Sequence, residues 1–81
     1  MLTPGKQLSL SDLAVGATCK IASVELAGLI RRRILDLGIL PGTKVKCVRR
    51  SPSGDPIAFQ VRGTTIALRD VDASSIKICA I

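Results

Sequence analysis

At 81 residues the chain is sized for one domain, and with 47% hydrophobic residues but Phe59 as the only aromatic its core must be built from Ile, Leu and Val. The absence of histidine removes the usual general base and the Ser/His and Cys/His nucleophile pairs, so catalysis is not expected. A net charge of +6, from twelve Lys and Arg against six Asp and Glu, directs attention to acidic partners.

No apolar run approaches the ~18 residues needed to cross a bilayer. The opening Met1-Leu2-Thr3-Pro4-Gly5-Lys6 lacks the charged start and long apolar stretch of a signal peptide, so a cytoplasmic protein is expected. Cys19, Cys47 and Cys79 are widely spaced, form no CxxC pair and have no histidine to complete a metal set. They read as thiols in a reducing compartment, and whether any of them binds metal stays open.

Taken in order, residues 1–7 form a loose lead-in, and Leu8 to Leu13 makes a short turn that packs Leu10 and Leu13 ahead of Gly16. Ala17, Cys19 and Ile21 alternate with Thr18, Lys20 and Ala22 as a first strand running to Val24, with Cys19 on the inner face. Ser23 can cap a helix whose first turn holds Glu25. Stepping 100° per residue, Leu26, Ile30, Ile34 and Leu37 fall on one arc with Leu29 at its edge, while Gly28, Arg31, Arg32 and Leu35 fall opposite.

Gly38 suits the left-handed residue that ends a helix, Pro41 cannot continue one, and Gly42 completes a turn into the next strand. That strand, Thr43 to Arg50, points Val45 and Cys47 inward and Lys44, Lys46 and Val48 outward unless a bulge intervenes. Ser51 to Pro56 is a loop by composition, and Ile57, Phe59 and Val61 line a third strand. A two-residue hairpin at Gly63-Thr64 leads to a fourth strand, Thr65 to Arg69, placing Val61 opposite Ile66 and Phe59 opposite Leu68. Asp70 to Ser75 suits a capped turn, and Ile76, Ile78 and Ala80 face one way on a fifth strand with Lys77 and Cys79 on the other.

The expected architecture is mainly β: a small, partly open barrel of about five strands with one amphipathic helix after the first strand, in a single domain over residues 1–81. On these strand phases Cys19 and Cys47 point inward and Cys79 outward, so the three do not converge on one ion.

Seven of the twelve cations (Arg31, Arg32, Arg33, Lys44, Lys46, Arg49, Arg50) lie between residues 31 and 50, where Asp36 is the only acid. An acidic protein, nucleic acid or an anionic membrane surface could each use them, and plain solubility accounts for them equally well. Single-strand binders on small barrels stack bases on aromatic side chains, which this chain lacks apart from Phe59, although duplex phosphate binding by Arg31, Arg32, Arg49 and Arg50 stays open. Gly38-Ile39-Leu40-Pro41-Gly42 lacks the lysine of a nucleotide-phosphate loop and follows a helix where such loops precede one, so no nucleotide cofactor is expected.

Several stretches together resemble the FeoA family: Leu13-x-x-Gly16 before a strand, Arg33-Ile34-Leu35-Asp36-Leu37-Gly38-Ile39-x-Pro41-Gly42-Thr43, Gly54-Asp55-Pro56-Ile57, and Arg62-Gly63 before Ile66-Ala67-Leu68-Arg69. The resemblance runs from about Leu8 to the C-terminus. It implies an SH3-like β-barrel and a free-standing, non-enzymatic, cytoplasmic accessory protein of ferrous iron uptake. The implied partner is the cytoplasmic, GTP-binding part of a FeoB-type membrane transporter.

The same resemblance implies an alternative, a basic nucleic-acid-binding or regulatory module related to the SH3-like domain of iron-dependent repressors. Arg31, Arg32 and Leu35 on the outer helix face, with Leu40 in the adjoining turn, are the candidate docking residues. A solvated helix face with one stray leucine is the plain reading of the same pattern. Strand edges of a small barrel leave homo-oligomers open.

Overall fold

The computed structural model describes residues 8–80, so the lead-in expected for residues 1–7 lies outside the described residues. Alternation of apolar and polar side chains organises five strands into one antiparallel sheet. Its strands are β1 (Thr18–Val24), β2 (Lys44–Arg50), β3 (Ile57–Val61), β4 (Thr64–Leu68) and β5 (Ile76–Ala80), in the spatial order β4-β3-β2-β1-β5. A helix, α1 (Gly28–Asp36), follows β1, and a single helical turn, α2 (Asp70–Ala73), precedes β5. No pairing joins β4 to β5 among the described residues, which leaves the barrel open on that side.

Period-two patterning decides the core. Cys19 and Ile21 from β1, Val45 and Cys47 from β2, Ile57, Phe59 and Val61 from β3, and Ile76 and Ile78 from β5 are all buried. Leu10 and Leu13 come in from a 3₁₀ turn, Leu10–Asp12, which packs against α2. The main-chain N–H of Ser9 donates to the Asp12 carboxylate at 3.0 Å, tying the start of this turn to its end. The short turn expected around Leu10 and Leu13 is therefore present.

Two bulges bend the sheet. Val48 is the extra residue between the Cys47–Phe59 and Arg49–Ala58 pairs, as the sequence pattern allowed. Ala22 is the extra residue between the Ile21–Ile78 and Ser23–Lys77 pairs. This second bulge corrects the expected helix start. Past it, β1 goes on pairing with β5 through Val24–Ile76, so Ser23 stays in the sheet and cannot cap a helix. The helix begins later, after Ala27, without a side-chain cap.

The β3–β4 hairpin also departs from expectation. Its central residues are Arg62 and Gly63, both at positive φ (52° and 81°), the signature of a type I′ turn rather than one centred on Gly63-Thr64. The observed partners are Phe59–Ile66 and Ile57–Leu68, two residues away from the expected pairing. Because side chains alternate with period two, this shift leaves every residue on the face assigned to it.

Candidate docking site

Helix α1 is a nine-residue helix with one fully buried side chain, Ile34. Leu26 and Ile30 are only partly covered where they meet the core. So short a helix is marginal on its own, and its position rests on that anchor and on its C-terminus. There the N–H of Gly38 donates to Leu35 O at 2.9 Å and the N–H of Ile39 to Ile34 O at 3.3 Å. With Gly38 at φ +94° this is a Schellman cap, and the hydrophobic partners that complete it, Ile34 and Ile39, are both fully buried.

The helix stops one residue before Leu37, which turns outward at 39% exposure instead of completing the apolar arc. Ile39 takes the core position expected for Leu37. Leu40-Pro41-Gly42-Thr43 then forms a tight turn, closed by the N–H of Thr43 on Leu40 O at 2.9 Å, with Gly42 at φ +90°.

Of the four residues singled out from sequence, three come together. Arg31, Arg32 and Leu35 line a shallow hollow of about 500 Å³ on the outer side of α1, with Leu29 and Asp36. Leu40 lies elsewhere, beside Pro41, Lys44 and Arg62 in a second hollow. Leu35 is half-buried rather than exposed. The exposed aliphatic residue of the helix is Leu29, at 84% exposure. The helical wheel put Leu29 at the edge of the apolar arc; the late helix start, with Gly28 at φ +68°, leaves it over open solvent. A third hollow, of about 310 Å³, lies between α1 and the β4–α2 side, floored by Ile30, Ile34 and Leu68 and flanked by Arg33 and Arg69.

The arginines divide by role. Arg50, counted with the basic stretch, turns back onto the fold: its Nη2 donates to the carbonyls of Ser11 and Leu13. Arg69 pairs with Asp72 at 3.4 Å. Arg31 and Arg32 are exposed and take part in no ion pair among the described residues. Phe59 is fully buried, so it offers no stacking surface, and with Arg50 engaged the set of arginines proposed for duplex phosphates is incomplete.

Cys19 and Cys47 are buried and Cys79 is exposed, as their strand phases require. Burial pushes the Cys19 thiol up to about 11, with a smaller push from Cys79, and burial also raises Cys47. Among the described residues no three His, Cys, Asp or Glu side chains are grouped as a metal site.

Comparison with known proteins identifies the lineage of this arrangement. The family model for the FeoA domain matches residues 8–79. The chain belongs to the FeoA family. Its fold is the SH3-like one: a zinc complex of Stenotrophomonas maltophilia FeoA, described as a prokaryotic SH3 domain protein, is 30% identical with a TM-score of 0.80, covering 89% of each chain. FeoA from Chlorobium tepidum is 34% identical with a TM-score of 0.87, over 91% of this chain and 70% of that one.

A Porphyromonas gingivalis protein that fuses Fe(2+) transport protein A to the Fe(2+) transporter FeoB is 32% identical over 71 residues, 88% of this chain. The chain spans only 8% of that relative's length. In that relative the region similar to this chain and the transporter FeoB form a single polypeptide. No helix among the described residues is long and apolar enough to cross a membrane.

Proposed function

We propose that this FeoA chain is a non-enzymatic, cytoplasmic accessory protein that docks on the cytoplasmic, GTP-binding part of a FeoB-type transporter through the outer face of α1. The observation that carries the reading is the fusion relative, in which a domain like this one and FeoB share a single polypeptide. Fusion gives two modules a high effective concentration, which favours an interaction that separate chains must make by diffusion.

The helix supplies a suitable surface. Leu29 stands clear of the core with Arg31, Arg32 and the half-buried Leu35 around one hollow, an aliphatic centre rimmed by two arginines and one acid, Asp36. Arg31 and Arg32 would meet carboxylates of the partner, and Leu29 would be the residue desolvated on docking. Leu40 lies outside this patch.

The test is a pull-down of the chain with the cytoplasmic domain of its FeoB. The double variant Arg31→Glu, Arg32→Glu and the single variant Leu29→Asp should each weaken capture at least about tenfold while leaving the circular dichroism spectrum unchanged. Normal capture by both variants would remove α1 as the docking face. Retention of duplex DNA at physiological salt, lost in the same arginine variant, would favour the regulatory alternative.

A further inference from the structure

A second surface stands apart from α1. In an antiparallel sheet, residues directly opposite one another project from the same face. Lys20 of β1 is directly opposite Lys44 of β2, and Thr18 is opposite Lys46, which in turn is opposite Gln60 of β3. Lys44 also shares a hollow with Arg62 of the β3–β4 turn, and Lys44, Lys46 and Arg62 share another. Lys20, Lys44, Lys46 and Arg62 are all exposed, no acidic residue lines either hollow, and none of the four forms an ion pair among the described residues.

Two features of this face run against local stability. Like charges directly opposite on neighbouring strands repel, and Lys20–Lys44 is such a pair. Arg62 sits at φ 52°, in a turn position that favours asparagine, aspartate or glycine, so a cation is held where the backbone disfavours it. The repulsion between Lys20 and Lys44 is relieved when an anion lies across the face.

We propose that this face binds the anionic surface of a phospholipid bilayer. Lysines on flexible stems spread over two adjacent strands, with Arg62 at the neighbouring turn, act as a field of hydrated point charges, which suits a plane of headgroups better than a single bidentate ligand. No aromatic platform is present for bases, because Phe59 is buried. At the rim, Leu40, 40% exposed, and Pro41 project from the turn next to Lys44 and Arg62, giving the cationic face an apolar tip that can enter the headgroup layer. The inference is independent of the α1 reading, since it needs no transporter.

The test is co-sedimentation of the purified chain with vesicles of phosphatidylcholine alone or with about one-third phosphatidylglycerol, at about 0.1 M salt. Wild type should bind only the anionic vesicles. Each lysine near such a surface contributes about fivefold, so the triple variant Lys20→Gln, Lys44→Gln, Lys46→Gln should bind about a hundredfold more weakly. Arg31→Gln with Arg32→Gln, on α1, should change binding less than about fivefold.

Arg62→Asn provides a check that folding failure cannot mimic, because asparagine suits its turn: it should bind vesicles about fivefold more weakly while unfolding at higher temperature. Equal binding to both vesicle types, or a loss in the helix variant as large as in the sheet variant, would overturn the proposal. So would lysine-dependent binding of poly-glutamate or duplex DNA without any binding of anionic vesicles.

Discussion

The guanidinium of Arg50, at the end of β2, donates from Nη2 to the main-chain carbonyl of Leu13 at 3.2 Å, and the same nitrogen donates to Ser11 O. One side chain therefore closes the N-terminal 3₁₀ turn onto the sheet, holding Leu10 and Leu13 over the core. Hydrogen bonds to a charged group contribute about 1.5 to 3 kcal/mol. Arg50→Ala should lower stability by about 2 kcal/mol. In urea unfolding this appears as a lower midpoint with an unchanged slope.

The turn that caps α1 should be equally sensitive, for a backbone reason. Gly38 is at φ +94°, and an added Cβ would sit 3.5 Å from Arg62 Cδ, an ordinary van der Waals distance. Space is not the obstacle. The conformation is: Gly38→Val should cost roughly 1 to 2 kcal/mol through left-handed strain. Ile39→Ala, which removes the buried half of the same cap, should cost about 2 to 5 kcal/mol. Thermal melts of the two variants would separate strain from lost packing, since only the second changes buried apolar volume.

Arg62→Asn has the opposite sign. Asparagine tolerates the left-handed region that Arg62 occupies at φ 52°, and Asn-Gly is the preferred pair for a type I′ hairpin. A gain of about 0.5 to 1 kcal/mol is expected, measured by the same unfolding curves.

Alkaline pH should unfold the protein partly through Cys19. Its thiol is raised from an ordinary 9.0 to about 11, mainly by burial, so the folded state holds the proton more tightly than the unfolded state. The associated stability is fully present below pH 9.0 and is lost as pH rises toward about 11. Cys19→Ala should be less stable at neutral pH and lose less on going through that window. In the native state Cys79 alone should react rapidly with a thiol reagent, with Cys19 and Cys47 following only on unfolding.

Leu29→Asp should leave stability within about 0.5 kcal/mol of wild type, because Leu29 is 84% exposed. Leu35→Asp, at a half-buried position, should destabilise measurably. Comparing their melting temperatures tests which leucine of α1 the fold can spare for a partner.

The places where sequence and structure agree or part company have identifiable causes. The strand faces of Cys19, Val45, Phe59 and Ile78 were legible because period two marks a sheet buried on one side, whatever the exact pairing. The hairpin register was not: Gly63 serves equally as the first central residue of one turn type or the second of another, and both solutions bury the same side chains. Ser23 looked like a helix cap because nothing local reveals that an Ala22 bulge lets β1 continue along β5.

For the site, Arg31, Arg32 and Leu35 were placed on one face correctly, since a helical step of 100° fixes their neighbourhood. Leu29 was missed because its exposure depends on where the helix begins, and the inward turn of Arg50 because its acceptors lie 37 and 39 residues away in sequence.

Between the last residue of α1 and the first of β2 lie only Leu37 to Thr43, secured by the Gly38 cap at one end and at the other by the Gly42 N–H on Ile21 O at 2.7 Å. So short and doubly fastened a link leaves no slack. A partner seated on α1 and a surface lying against Lys20 and Lys44 would be held at one distance and one bearing. In that arrangement the domain is a gauge block, and lengthening the link by a few glycines would spoil the measurement without altering either face.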